Sequence, residues 1–153
     1  MFRNGSENSW RSEEALVTYI ENLSKRIKIK AIILFGSRAT GEDCSWSDYD
    51  LLVISDNLPR YLHQRFDLLW EEKPAMIDIL GFTIEEAKEA IHRTLLLKAL
   101  IQGIVLKGNA DSLKALAHRY LEKEGLVPTP IGFTHREPAK ESFIIHRKPP
   151  IKA

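Results

Sequence analysis

The segment from residue 35 to 54, FGSRATGEDCSWSDYDLLVI, contains the residue types that phosphate chemistry requires. Gly36 and Ser37 follow an apolar run, where glycine lets the backbone approach a ligand closely and a serine hydroxyl can donate to it. Arg38 adds a cation that can bind phosphate oxygens or form a surface salt bridge. This turn predicts a phosphate-binding cradle at Gly36, Ser37 and Arg38, with a plain strand end and turn cap as the alternative.

Two aspartates, Asp48 and Asp50, stand where the next apolar run begins. Strands disfavour aspartate, and because side chains alternate along a strand these two lie on one face. Asp78 lies in a third apolar run and reaches the same place if the strands are neighbours. Three carboxylates held together repel one another, and a hard cation such as Mg²⁺ removes that conflict by taking oxygen ligands.

The metal ligands predicted from this pattern are Asp48, Asp50 and Asp78, with solvated strand-end carboxylates as the alternative. A phosphate cradle beside such a site favours nucleotidyl or phosphoryl transfer. Two metal ions about 3.5–4 Å apart would activate the attacking oxygen and stabilise the leaving pyrophosphate.

A sheet is needed to position these groups, and the sequence predicts one. Short apolar runs at 31–35, 50–54 and 76–80 are typical of buried strands, and residues 104–106 form a small fourth strand. Apolar residues at helical spacing predict four helices, over 12–27, from 58 to near Pro74, from 83 to near Gln102, and from 111 to near Lys123. Thr83 and Glu86 form a predicted capping box, and Asp111 is a predicted N-cap.

Composition limits the function classes. The chain has 153 residues, 44% of them hydrophobic, which suits one domain with a core of its own. Its formal charge of +1 supplies no overall basic field, so nucleic acid is not an expected partner. Cys44 is the single cysteine and indicates a reducing compartment; without a signal peptide or an apolar run of membrane-spanning length, the chain is predicted to be cytoplasmic.

The predicted organisation has three parts. Residues 1–11 form a flexible N-terminus, residues 12–124 form the folded domain, and residues 125–153 form a basic tail with five of the seven prolines. Within the tail, Ser142 to His146 can form a short strand that adds to a sheet edge of this chain or of a partner. The tail is interpreted as a partly ordered extension, with a binding arm as the alternative.

The spacing of Gly36-Ser37, ten intervening residues and Asp48-Tyr49-Asp50 resembles the signature of the minimal nucleotidyltransferases of the DNA polymerase beta superfamily. The resemblance covers residues 15–107 and implies an α/β (α+β) fold, a small mixed sheet backed by helices. It also implies ATP or another nucleoside triphosphate held at Gly36 and Ser37, with two Mg²⁺ ions. Asp48 and Asp50 would bind metal, and Asp78 would bind metal and help to activate the acceptor hydroxyl. Thr40 stands where an arginine is common in the family.

Small members of this family pair with helical HEPN proteins as antitoxins, and some transfer AMP to a tyrosine of the toxin. The chain is similar to these members in size and in its ten-residue spacing. The resemblance therefore implies a Mg²⁺-dependent nucleotidyltransferase that places AMP on a HEPN-type partner, within a hetero- or homo-oligomer. The alternative is a non-catalytic antitoxin or interaction protein that neutralises a partner by direct binding.

Overall fold

Four apolar runs form a four-stranded sheet in the computed structural model, which describes residues 7–41 and 48–136. The strands are β1 (Ala31–Phe35), β2 (Tyr49–Ile54), β3 (Ile77–Phe82) and β4 (Ile104–Gly108). Their order is β3-β2-β1-β4; β2 and β3 run parallel, and β1 is antiparallel to β2 and to β4. The mixed sheet backed by helices that the sequence predicts is confirmed.

One face of the sheet packs against α1 (Glu7–Arg26) and α3 (Leu62–Trp70), and this layer is the first core. The apolar side chains of α1 recur at helical spacing, so one stripe of that helix is buried against the sheet. Alternate strand residues such as Leu34, Tyr49, Leu51 and Ile77 supply the other half of the first core. This alternation fixes which strand residues remain for the opposite face.

The opposite face carries the second core, which is built by helices that follow β3 and β4. They are α4 (Ile84–Glu89), α5 (Thr94–Leu97), the π-helical turn Lys98–Gln102, and α6 (Asp111–Glu124). Leu52 and Ile54 of β2 belong to this core. Asp50 precedes them at the same alternation, so its side chain lies on this face.

The helix predicted from 83 to about Gln102 is wrong in one respect, because α4 ends at Glu89 and α5 begins at Thr94. Ala87 and Leu96 are both buried in the second core. At about 100° per residue, these two positions would lie on opposite sides of one straight helix. The break lets both face the sheet. The Thr83 and Glu86 capping box is confirmed.

Three other helix starts differ from the prediction. Helix α1 begins at Glu7, before the predicted start at residue 12. Helix α3 begins at Leu62, not at Leu58, because Pro59 disfavours helical backbone at the residue before it. Leu58 is nevertheless buried in the first core. Asp111 is the first residue of α6 and not its cap; its backbone N–H donates to the side-chain oxygen of Asn109 at 2.8 Å.

Part of the predicted tail has regular structure. Strands β5 (Leu126–Thr129) and β6 (Gly132–His135) form an antiparallel hairpin, and Leu126 and Phe133 pack against the second core. The sequence predicted no strand there. The predicted strand from Ser142 to His146 and the residue Cys44 lie outside the described residues. Across 7–41 and 48–136, no helix has the length and apolar character to cross a membrane.

Candidate functional site

The carboxylates that the sequence singled out meet at one end of the sheet. Asp50 of β2 and Asp78 of β3 are register partners on neighbouring parallel strands, so their side chains share a face. Asp48 is one residue before β2, at the same alternation, and is exposed, as is Asp78. Burial raises the pKa of Asp50, and the negative charges of Asp78 and then Asp48 raise it further. The charges of Asp78 and Asp48 therefore act on the Asp50 carboxylate.

Gly36 brings the backbone against this cluster. It directly follows β1, whose last residue Phe35 pairs with Asp50. Its φ of +79° is a conformation that favours glycine, and a Cβ at this position would overlap Oδ2 of Asp50. Only a residue without a side chain fits between β1 and the Asp50 carboxylate in this arrangement.

Ser37 opens the short helix α2 (Ser37–Thr40) immediately after that glycine. The carbonyl of Gly36 accepts hydrogen bonds from the N–H groups of Ala39 at 3.0 Å and Thr40 at 3.2 Å. The first N–H groups of a helix have no partner within the helix itself. Ser37 thus begins a short helix directly after the glycine that lies against the Asp50 carboxylate.

The chemistry of this donor set fits a hard divalent cation. Carboxylate oxygens are the ligands that such an ion prefers, and burial, followed by the negative charges of Asp78 and Asp48, raises the pKa of Asp50. Within residues 7–41 and 48–136, no group of three or more His, Cys, Asp and Glu side chains, these three aspartates included, is arranged so that it could hold a metal ion together. That is compatible with Mg²⁺, which keeps several waters and takes substrate phosphates as ligands beside one or two carboxylates.

Arg38, the third predicted phosphate ligand, lies on the other side of the sheet. Its side chain is buried, and its Cζ lies 4.4 Å from the centre of the Tyr49 ring. Tyr49 belongs to the first core, whereas Asp50 faces the second. The structure therefore places the Arg38 guanidinium beside Tyr49, on the face of β2 opposite Asp50.

The surface beyond Asp78 is open and largely apolar. Leu80 follows Asp78 on the same face of β3 and is 39% exposed, and Leu62 and Phe66 of α3 are more exposed still. A cavity of about 420 Å³ is lined by Leu62, Leu80 and Phe82, with Arg93 among its charged lining residues. Another cavity, of about 640 Å³ between α4 and α6, is lined by none of the candidate site residues.

Sequence reasoning missed two buried residues, Tyr49 beside the carboxylates and Arg65 near the other end of β3. Tyr49 stands between the two aspartates, and an aromatic residue flanked by polar ones at a strand start signals an inward-facing anchor. Arg65 of α3 is buried and donates to Glu86 and to the carbonyl of Gly81. Nothing in the sequence around Arg65 distinguishes it from a surface arginine on a helix.

Comparisons with known proteins agree with this fold. Residues 18–111 match the family model described as "Polymerase beta, Nucleotidyltransferase", a range that includes every candidate site residue. A solved structure from Sulfolobus solfataricus, described as a candidate nucleotidyltransferase, is similar with a TM-score of 0.53 and 15% identity. The matched region covers 71% of this chain and 94% of the Sulfolobus solfataricus chain. This likeness shows the same fold.

Other solved structures are similar at lower TM-scores. One is a toxin-antitoxin with AMP-PNP, with a TM-score of 0.48 and 21% identity, covering 69% of this chain and 84% of its own. Another is a tri-AMPylated Shewanella oneidensis HEPN toxin in complex with MNT antitoxin, with a TM-score of 0.45 and 18% identity, covering 75% and 85%. None of the curated protein sequences matches the chain.

Proposed function

The chain belongs to the polymerase beta nucleotidyltransferase family, and we propose that it transfers a nucleoside monophosphate, AMP from ATP, to a hydroxyl acceptor with Mg²⁺. The observation that carries this proposal is the register pairing of Asp50 with Asp78 beside Gly36. A fold has no need of two facing aspartates at a sheet end, and their mutual repulsion is a cost that a metal-dependent reaction explains.

In this proposal each residue has a separate task. Gly36 has no side chain and so lets the triphosphate approach the backbone closely, and the Ser37 hydroxyl donates to a phosphate oxygen. Asp48, Asp50 and Asp78 would hold two Mg²⁺ ions. When bound, the metal supplies charge neutralisation of the phosphates and lowers the pKa of the attacking hydroxyl.

The transfer balances at the α-phosphorus. A bond forms between the acceptor oxygen and the α-phosphorus, and the bond from that phosphorus to the pyrophosphate oxygen breaks. The acceptor proton goes to Asp78, which is exposed on edge strand β3 and therefore accessible to an incoming hydroxyl. In-line displacement puts attacking and leaving oxygens on opposite sides of the phosphorus. With pyrophosphate held at Gly36, on the β1 side of the carboxylates, the acceptor approaches from the β3 side.

The proposed acceptor is a hydroxyl of a partner protein of the HEPN type. The sequence supports this through the ten-residue spacing and the size of the chain. The surface beyond Asp78 supports a macromolecular acceptor, because Leu62, Phe66 and Leu80 leave apolar area exposed on the side from which the acceptor approaches. The same area would also serve a partner that is bound without being modified, so the experiment must separate transfer from binding.

The test uses the native chain purified with any protein that copurifies with it. The complex is incubated with Mg²⁺ and ATP labelled at the α-phosphate, and in parallel with ATP labelled at the γ-phosphate. We expect the α-label, not the γ-label, to enter the partner protein, and chelator to prevent it. A γ-label in the partner would indicate phosphoryl transfer instead. A stable complex that takes up neither label would contradict the enzymatic proposal and support neutralisation by binding.

A further inference from the structure

We infer that Arg38 is a positioning residue, which stacks on Tyr49 and thereby holds the start of α2 against the aspartates of β2. This inference rests on the proposed function, because it concerns how the same site is kept in place. It replaces the phosphate contact that the sequence predicted for Arg38 with a contact to a side chain of the protein.

The burial of the Arg38 and Tyr49 side chains, and the face of the sheet on which they lie, support the stack. Arg38 is 6% exposed and Tyr49 is fully buried, and the guanidinium lies over the aromatic ring at 4.4 Å. Side chains alternate along β2, so Tyr49 lies on the face opposite Asp48 and Asp50. A guanidinium on the Tyr49 side is separated by the sheet from phosphates that bind at the carboxylates. Arg38 therefore reaches the site through Tyr49 and not directly.

The stack joins the two halves of the candidate site. Arg38 follows Ser37 in α2, and Tyr49 lies between Asp48 and Asp50 at the start of β2. Residues 42–47, which connect these segments along the chain, lie outside the described residues. Contact between Arg38 and Tyr49 adds a second link through space between α2 and the start of β2, beside the pairing of Phe35 with Asp50. A buried cation over an aromatic face is stronger than an exposed one because water does not compete for it.

The inference and a purely electrostatic role predict opposite effects on metal binding. If Arg38 acted only by its charge, its removal would strengthen Mg²⁺ binding, because like charges repel. If Arg38 holds the ligands in place, its removal weakens Mg²⁺ binding. Residues that orient metal ligands from behind typically change metal affinity by about 10–100-fold when mutated.

The test measures the Mg²⁺ concentration that gives half-maximal ATP binding, by calorimetry on the full chain. We expect Arg38→Met and Tyr49→Leu each to raise this concentration about tenfold. Tyr49→Phe keeps the ring and is the matched control, with an expected change of less than about twofold. Arg38→Lys, which keeps the charge but not the planar group, should fall between wild type and Arg38→Met.

The double variant decides whether the two residues act together. If they form one unit, Arg38→Met with Tyr49→Leu should be no worse than the more severe single variant. The inference would be overturned if the two substitutions acted independently, so that the double variant raised the Mg²⁺ concentration by the product of the two single effects. It would also be overturned by an Arg38→Met variant that loses ATP affinity in chelator while Tyr49→Leu keeps it, since that pattern belongs to a direct phosphate ligand. A lower melting temperature with unchanged Mg²⁺ dependence would also overturn it, because it indicates a structural role alone.

The failure of the inference is distinguishable from failure of the proposed function. If wild type binds no ATP with Mg²⁺, the proposed function is contradicted, and the same four proteins are then compared by titration with Mn²⁺ alone. The inference still requires weaker Mn²⁺ binding in Arg38→Met and Tyr49→Leu, with Tyr49→Phe like wild type. If Arg38→Met does not fold, Arg38→Lys takes its place in the double variant.

Discussion

The two ends of β3 handle charge in opposite ways. Near its start, Asp78 stands beside Asp50 and Asp48, three carboxylates that repel one another. Just after its end, Glu86 is paired with Arg65, whose Nη1 lies 2.8 Å from Glu86 Oε1 and 3.1 Å from the carbonyl oxygen of Gly81. One end of the strand holds uncompensated charge, and the other end holds a satisfied network.

The pKa values of the two ends move in opposite directions. Burial raises the pKa of Asp50, and the neighbouring carboxylates add to the rise. The hydrogen bond from Arg65 lowers the pKa of Glu86, against an opposing effect of burial, and the Thr83 amide lowers it further. Electrostatic strain is therefore confined to the end that carries the candidate site, as expected where function and stability conflict.

The largest expected effect comes from Asp78→Asn at the strained end. If Asp78 takes the acceptor proton, this change should lower the rate of transfer by about 10²–10⁴-fold while nucleotide binding is largely kept, because Asp48 and Asp50 still hold metal. Label transfer and ATP calorimetry measure the two properties separately. Asp67→Asn, an exposed carboxylate of α3, is the control and should leave both unchanged. Substantial transfer by Asp78→Asn would assign Asp78 to the fold.

The end of β3 that carries Asp78, the strained end, was more predictable from sequence than the end that leads to Glu86 and Arg65, the satisfied end. Asp48, Asp50 and Gly36 stand close in sequence, and short apolar runs beside them predict the strands that carry them. The pairing of β2 with β3 depends on tertiary packing, so the meeting of Asp50 with Asp78 was conditional on the strands being neighbours. The side to which Arg38 turns was not predictable, because a residue in a four-residue helix has no periodic pattern to read.

The satisfied end could not be predicted because its partners lie in separate segments. Arg65 donates to the carbonyl of Pro59, to the carbonyl of Gly81 and to the carboxylate of Glu86. Only the local part of this network, the capping box of Thr83 and Glu86, has a sequence signature. A contact between residues no more than four positions apart in the sequence can be predicted from a local pattern. Contacts that join a loop, a strand and two helices cannot.

The second expected effect tests the satisfied end. Arg65→Met keeps the unbranched apolar stem of the side chain but leaves the Gly81 and Pro59 carbonyls without this donor. We expect it to lower the free energy of unfolding by about 2–4 kcal/mol. Glu86→Gln keeps the capping geometry, and its side chain is 42% exposed, so it should cost less than about 1 kcal/mol. Denaturant unfolding measures both. If Glu86→Gln were the more damaging change, the buried carbonyls would not be what Arg65 stabilises.

The third prediction is that a mutation at the strained end does not lower the melting temperature, whereas most mutations do. Asp50→Asn removes one of three repelling charges, so in chelator it should raise the melting temperature or leave it unchanged. In Mg²⁺ and ATP, ligand at about a hundred times its dissociation constant should stabilise wild type by roughly 2.7 kcal/mol. Asp50→Asn should gain much less. Thermal melts of both proteins in the two buffers test this. Strong destabilisation in chelator, with no ligand effect on wild type, would make Asp50 a structural carboxylate.

The smallest expected effect is the pH dependence of stability, and it compares the two ends directly. For Glu86, whose folded pKa is lowered, the stabilising contribution is present above its ordinary value of 4.5 and is lost as the pH falls through the folded pKa. For Asp50, whose folded pKa is raised, the folded state binds the proton more tightly than the unfolded state does. Its contribution to stability is therefore present below its ordinary value of 3.8 and is lost as the pH rises through the folded pKa.

For each variant, the difference in melting temperature from wild type is measured in chelator as a function of pH. At neutral pH this difference should have opposite signs for Glu86→Gln and Asp50→Asn. The melting temperature of Glu86→Gln should lie below that of wild type, and that of Asp50→Asn should lie above it or equal to it. Each difference should correspond to less than about 1 kcal/mol, since Glu86 is 42% exposed and Asp78 and Asp48 beside Asp50 are screened by solvent. On acidification both differences should shrink, the Asp50→Asn difference as the pH falls through the raised pKa of Asp50 and the Glu86→Gln difference as the pH falls below 4.5 and through the lowered pKa of Glu86. If both variants fell below wild type at neutral pH, the two ends of β3 would not differ in the sign of their electrostatics.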